Sequence, residues 1–340
     1  MHHDSIQFHN VAELRAIDGQ DGHLLQRVPE TVRTDLEAAQ SRMRHPAGAE
    51  LRFVPDGPVE LTLSTMPGGD REEITVRVFW GPIQRREEYV VGTTPRTIEL
   101  SIPDSIARLR SDAVEDLAFD PRVCRVRLPG EHRGGYTCYH GIDGEVRPPT
   151  DEEVPGRRLL AYGTSITEGE AALAEHLTYV DQTARRIDAD PINLGVCGTA
   201  YCEPVIADHI AERDDWDVAT LSISVNMVGE FSPETFRERA KYMVETIAGA
   251  NPEKPIVAIT LFRNGRDVFV DHDQGELGER FREELRGVVE RSSHDNVHLL
   301  EGTELLPTVD GLTTDFTHPG DNAMITMGEN LASALEELLG

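Results

Sequence analysis

Two rhythms of apolar and polar residues divide the chain. Up to about residue 150 the runs are short and alternate with a period of two. Glu50-Leu51-Arg52-Phe53-Val54 and Val59-Glu60-Leu61-Thr62-Leu63 flank a Pro55-Asp56-Gly57-Pro58 turn. Glu73 to Trp80 alternates in the same way and stops at Gly81-Pro82, and Thr97 to Ile102 and Val123 to Leu128 continue the pattern. Such runs, bounded by Gly and Pro, predict β-strands in a sandwich-like domain. A short helix is expected near Glu30 to Ala39. The polar, proline-rich stretch Arg147 to Gly156 reads as a linker, so the expected division is residues 1–150 and 157–340.

From Arg157 onward strands alternate with helices. Arg158 to Tyr162 is an apolar strand that breaks at Gly163-Thr164-Ser165-Ile166-Thr167. Pro191–Leu194, Val218–Val225, Ile256–Leu261 and Val297–Leu300 are the other strands, Val218–Val225 being a near-continuous apolar run of the kind buried on both faces. Helices are expected at Leu177–Ile187 and Glu203–Ala211. A third starts at Ser232-Pro233, with a hydroxyl cap and a proline in the first turn. Phe236, Ala240, Met243, Val244 and Ile247 line its inner face, and Gly249 reads as its stop. Leu277, Phe281, Leu285, Val288 and Val289 line a fourth, and Met324, Met327, Leu331, Leu335 and Leu338 the last. The fold expected here is α/β: a flavodoxin-like, doubly wound, parallel five-stranded sheet.

Composition adds constraints. At 340 residues two domains are the natural expectation, and 39% apolar residues are enough for two cores. No stretch reaches the roughly 18–20 apolar residues of a membrane span, and Met1-His2-His3-Asp4 does not resemble a signal peptide, so a cytoplasmic location is expected. Cys124, Cys138, Cys197 and Cys202 form no CxxC pair and read as ordinary thiols. The net charge is −28, with 61 acidic residues against 33 basic ones, all arginine but Lys241 and Lys254. Nucleic acid and anionic membrane are therefore not expected as partners. The scattered acids fit a globally acidic surface of the kind found in salt-loving organisms.

Polar groups gather where strands end, which is where α/β folds place their sites. Ser165 follows the first strand. Asn193-Leu194-Gly195-Val196-Cys197-Gly198 follows the second, with glycines that let backbone N–H groups approach a ligand. Asn226 follows the third, and Asp315-Phe316-Thr317-His318-Pro319 comes after the last. An Asp and a His three residues apart can face one site, the carboxylate fixing the imidazole tautomer. No HExxH is present, and His272, His294 and His298 are scattered, so no metal and no cofactor is expected.

The second half of the chain, about residues 157–340, resembles the SGNH (GDSL-type) hydrolases. Gly163-Thr164-Ser165-Ile166-Thr167 matches the first family block, Gly198 the second, Asn226 the third and Asp315-Phe316-Thr317-His318-Pro319 the fourth. A β-rich region ahead of the hydrolase is similar to one subgroup of that family. In two positions the chain departs from the family pattern: Thr164 precedes Ser165, and Met227 follows Asn226, where Asp is usual in both.

The resemblance implies a serine esterase acting on a small acyl ester, an acylated carbohydrate among the candidates. Ser165 is then the nucleophile, His318 the base and Asp315 its partner, with the Ser165 and Gly198 N–H groups and the Asn226 amide forming the oxyanion hole. Two alternatives remain open: an acyltransferase using the same triad with a non-water acceptor, and a carbohydrate-binding protein with a vestigial hydrolase domain. For the N-terminal region glycan binding, covering of the site and oligomer formation are equally open.

Overall fold

The computed structural model describes residues 1–17, 19, 21–66, 72–130, 135–270 and 272–340, with His272 described by its backbone alone. Two compact units form. One comprises Met1–Glu30, Met43–Gly156 and Asp188–Asp190, the other Thr31–Arg42, Arg157–Ile187 and Pro191–Gly340.

In the first unit two antiparallel sheets share one core. The larger, of seven strands, runs His2–His3, Ile6–His9, Glu50–Pro55, Cys124–Arg127, Ile74–Trp80, Ile83–Val91, with Val146–Arg147 also pairing Glu50–Pro55. The smaller, of five, runs Glu13–Ala16, His23–Gln26, Thr137–Asp143, Val59–Thr65, Arg96–Leu100. Leu51, Phe53, Val76, Val78 and Val126 from one sheet and Leu61, Leu63, Ile98 and Tyr139 from the other belong to a single apolar cluster. That is the outcome which period-two alternation dictates when each sheet buries one face.

The polar positions of the same alternation are buried as well. Glu50, 1% exposed, accepts from Arg52 Nε at 2.8 Å and from Arg125 Nε and Nη2 at 2.8 and 2.6 Å. Arg52 also grips Asp190 with a two-pronged pair at 2.6 and 2.7 Å. Burial pushes the Glu50 carboxyl up, but Arg125, Arg52 and Arg127 together outweigh it and hold Glu50 well below the usual carboxylate range.

The chain passes from the first unit to the second between Gly156 and Arg157, at the end of the stretch read as a linker, and that stretch is itself structured: Val146–Arg147 pairs with Val54 and Pro55, and Arg147 holds Glu153 with bonds of 2.7 and 2.6 Å. Glu153 also caps the Thr150 N–H at 2.9 Å, closing a 3₁₀ turn over Asp151–Glu153. The helix expected to reach Ala39 spans Glu30–Asp35 only, and most of that region belongs to the second unit. There the Glu203 carboxylate draws in the Glu37 and Ala38 N–H groups at 2.5 and 3.2 Å, which a continued helix would not offer.

The second unit is built on five strands: β1 (Arg157–Gly163), β2 (Ala189–Gly195), β3 (Val218–Ser222), β4 (Ile256–Ile259) and β5 (Val297–Leu300). Their order is β2-β1-β3-β4-β5, and the β1–β3, β3–β4 and β4–β5 pairs are parallel. β3 and β4 are shorter than their apolar runs, because the last apolar residues turn into loops, buried except for half-buried Val225. The helices are α1 (Ser165–Glu168), α2 (Tyr179–Arg186), α3 (Pro204–Glu212), α4 (Pro233–Ala250), α5 (His272–Glu290), α6 (Gly302–Leu305) and α7 (Asp321–Leu339). α2 packs on α7, while α3, α4 and α5 pack in series. α4 starts as its sequence predicts, with Ser232 Oγ accepting the Thr235 N–H at 3.2 Å, and it runs one residue past Gly249. No helix among the described residues is long and apolar enough to cross a membrane.

Candidate active site

Ser165 opens α1 directly after β1, and the turn needs its small residues. A Cβ on Gly163 would lie 2.2 Å from Thr167 Oγ1 and 2.8 Å from the Ser222 carbonyl, so only glycine lets β1 bend this closely against β3. Thr164, in the position where the family pattern has Asp, caps α1 through a 3.4 Å bond from the Ile166 N–H. Gly169, with φ of +109°, ends it.

His318 reaches Ser165 from the loop between α6 and α7. Its Nε2 lies 2.9 Å from Ser165 Oγ, and its Nδ1 lies 2.7 Å from Asp315 Oδ2. The loop is folded on itself: Leu312 bridges Pro319, Thr313 N–H donates to the His318 carbonyl at 2.8 Å, and Phe316 N–H donates to the Thr313 carbonyl at 2.9 Å. The other Asp315 oxygen accepts from Thr313 Oγ1, Thr317 N and His318 N at 2.8–2.9 Å. Partial burial pushes the Asp315 carboxyl up, but these bonds, the one from His318 foremost, hold it well below the usual range. An ionised Asp315 can only accept. Neutral His318 therefore carries its proton on Nδ1 and offers the Nε2 lone pair to the serine hydroxyl.

Gly198 and Asn226 stand on the loops after β2 and β3. Gly198 has φ of +69° with open space where a Cβ would be. Its loop is pinned at three places. Cys197 N–H donates to Glu168 Oε2 at 2.7 Å, Ala200 N–H donates to Asn226 Oδ1 at 3.1 Å, and Asn193 ties Thr167 to Gly195 through bonds of 2.7 and 2.8 Å. Among the described residues Ser165, His318 and Asp315 are thus joined in one hydrogen-bonded series. Gly198 and Asn226 are joined instead to each other's loop through Ala200. The contribution of Glu168 was not readable from the sequence. It follows Ser165 by one turn, but nothing in the residue order says that its carboxylate, 1% exposed, holds the Gly198 loop.

Among the described residues no group of three or more His, Cys, Asp or Glu is placed to hold a metal ion. His294 lies 3.5 Å from Glu245, and burial lowers the pKa of His298 on β5, while the side chain of His272 lies outside the described residues. The four thiols are unpaired with one another, and burial pushes Cys138 up to about 11 and Cys202 to about 12, which makes both poor nucleophiles.

A hydroxyl, an imidazole and a carboxylate in series at the carboxyl end of a parallel sheet is the geometry of acyl-transfer chemistry. The chain belongs to the GDSL-like lipase/acylhydrolase family, whose model matches residues 156–336. None of the curated proteins matches it by sequence. Among solved structures it is similar to the salicylyl-acyltransferase SsfX3 from a tetracycline biosynthetic pathway, at 16% identity and a TM-score of 0.76, covering 98% of this chain and 95% of that one. It is also similar to a protein described as a GDSL-like lipase from Bacteroides ovatus, at 18% identity and 0.69, covering 92% and 91%. A family two carbohydrate esterase from Cellvibrio japonicus matches at 14% identity and 0.65, covering 99% and 96%. These likenesses extend over both units, so the two folds occur together in other proteins.

Proposed function

We propose that the protein is a serine esterase that cleaves a carboxylic ester of a small molecule through an acyl-Ser165 intermediate. The observation that carries this is the unbroken series from Ser165 Oγ through His318 to Asp315. As Ser165 Oγ attacks the ester carbonyl, His318 Nε2 takes its proton, and the Asp315 carboxylate stabilises the imidazolium that forms. The oxyanion is met by the Ser165 and Gly198 N–H groups and by the Asn226 amide nitrogen. His318 then gives the proton to the departing alcohol and later activates water to release the acid. The intact series argues against a vestigial hydrolase beside a carbohydrate-binding region.

Ser165→Ala is expected to lower kcat by roughly 10⁴-fold without unfolding the protein. A panel of nitrophenyl esters of graded chain length, with acetylated sugars beside them, identifies the ester to use. Wild-type turnover by the variant would overturn the assignment.

A second reading keeps the acyl-enzyme and replaces water by another acceptor. The likeness to SsfX3, described as an acyltransferase, favours testing it. Under hydrolysis, added alcohols or amines leave acyl-enzyme breakdown unchanged. Saturable acceleration by one acceptor, with acylated product, marks transfer.

A further inference from the structure

Beside the His318 loop lies an apolar surface that the triad does not use. Val268, Phe269 and Val270 are 46%, 52% and 95% exposed, in a chain whose aromatic content is only 6%. The segment follows β4, and Gly265 fastens it to the triad loop by donating its N–H to the Phe316 carbonyl at 2.7 Å. The absence of a Gly265 side chain leaves room for the Phe269 ring, whose edge atoms lie 2.4–2.6 Å from where a Cβ would be. Phe269 then meets Phe316 edge to face, with centroids 5.2 Å apart and planes at 64°. Phe316 itself stands between Asp315 and His318 with φ of +54°. That conformation suits Gly or Asn and strains a phenylalanine, so a ring is held at this tip at a cost that a smaller residue would avoid.

We infer that Val268, Phe269, Val270 and Phe316 form the subsite for the alcohol portion of the ester, and that this portion is an apolar, ring-bearing alcohol. The inference rests on the esterase reading and deepens it. When the tetrahedral intermediate collapses, the acyl carbon–oxygen bond breaks and the proton on His318 Nε2 passes to the alcohol oxygen. The leaving alcohol must therefore lie on the His318 side, whereas the acyl oxygen lies toward Gly198 and Asn226. The four side chains Val268, Phe269, Val270 and Phe316 carry no hydrogen-bond donor or acceptor, which suits an aryl group rather than a sugar. Phenyl edges and faces at this separation favour a planar ring over a flexible alkyl chain.

The test compares 1-naphthyl acetate with ethyl acetate, esters with the same acyl group and different alcohols, on wild type and Phe269→Ser. Thermal melting confirms that the variant is folded. The ratio of kcat/KM for the naphthyl over the ethyl ester is expected to fall about tenfold in the variant, as loss of an apolar contact does in other specificity pockets. A ratio unchanged within about twofold would overturn the subsite. If wild type cleaves neither ester, the esterase reading fails on these substrates, and calorimetric titration with 1-naphthol decides the subsite separately. Weaker binding of naphthol by Phe269→Ser supports it, and equal binding, or none to wild type, contradicts it.

Discussion

The Asn226 carboxamide accepts the Ala200 N–H through Oδ1 at 3.1 Å, so its nitrogen is the end turned away from that bond. This separates a loop-holding role from an oxyanion-binding one. Asn226→Asp keeps an acceptor for Ala200 while replacing the donor with a negative charge. It is expected to fold with a near-wild-type melting temperature and to lose at least the 10²–10³-fold in kcat, about 2.7–4 kcal/mol, that one oxyanion donor supplies, with KM little changed. Undiminished kcat would reduce Asn226 to a loop residue. Ser165, Asp315 and His318, which the structure joins by hydrogen bonds, were legible as candidates because each lies beyond a strand in a short motif; Gly198 and Asn226, chosen on the same grounds, lie on neighbouring loops linked through Ala200. Glu168 and Asn193 were not legible, since their bonds to the Cys197, Gly195 and Thr167 backbone arise only when two loops meet. The depressed Asp315 pKa also appears only in the folded loop, where the His318 ring holds one oxygen and three donors converge on the other. With a folded pKa below the unfolded value, its contribution to stability is complete above about pH 4–5 and is lost as pH falls toward that folded value.

Among the elements, β2 and the turn carrying Ser165 meet closely. A Cβ on Gly195 would lie 2.2 Å from the Glu168 backbone N and 2.7 Å from its Cα, so any side chain must push β2 away from α1. Gly195→Ala is therefore expected to lower both melting temperature and kcat, whereas Gly198→Ala, with open space at its Cβ but φ of +69°, bears backbone strain alone. Equal melting temperatures for Gly195→Ala and wild type, measured by calorimetry, would contradict this packing. β3 and β4 were legible because burial on both faces makes an apolar run, and Val297–Leu300, half-buried along its length, was read to the residue. Ile83–Val91 was missed because its side chains are mostly exposed and charged. Arg85, Arg86, Glu87 and Glu88 leave no alternation to read, although the Gly81-Pro82 turn ahead of it was seen. The N-terminal strands, of two to four residues each, were missed as well.

For the molecule as a whole, a net charge of −28 means self-repulsion that dilute buffer does not screen. The Debye length falls from about 10 Å at 0.1 M salt to about 3 Å at 1 M. Melting temperature is accordingly expected to climb with KCl between about 0.1 and 2 M, and a flat curve would show that the acidic surface carries no such penalty. The buried pairs around Glu50 and Asp190, 1% and 2% exposed, are shielded from salt and will not account for a rise. Acylation of Ser165 is the step on which the proposed chemistry depends, and intact-protein mass spectrometry reads it directly. Protein quenched during turnover of a nitrophenyl ester is expected to carry one added acyl group, mapped by peptide digestion to Ser165. Asp315→Asn should acylate far more slowly, and Ser165→Ala should show no adduct. An acyl group mapped to any other residue, or full turnover by Ser165→Ala without an adduct, would contradict the mechanism.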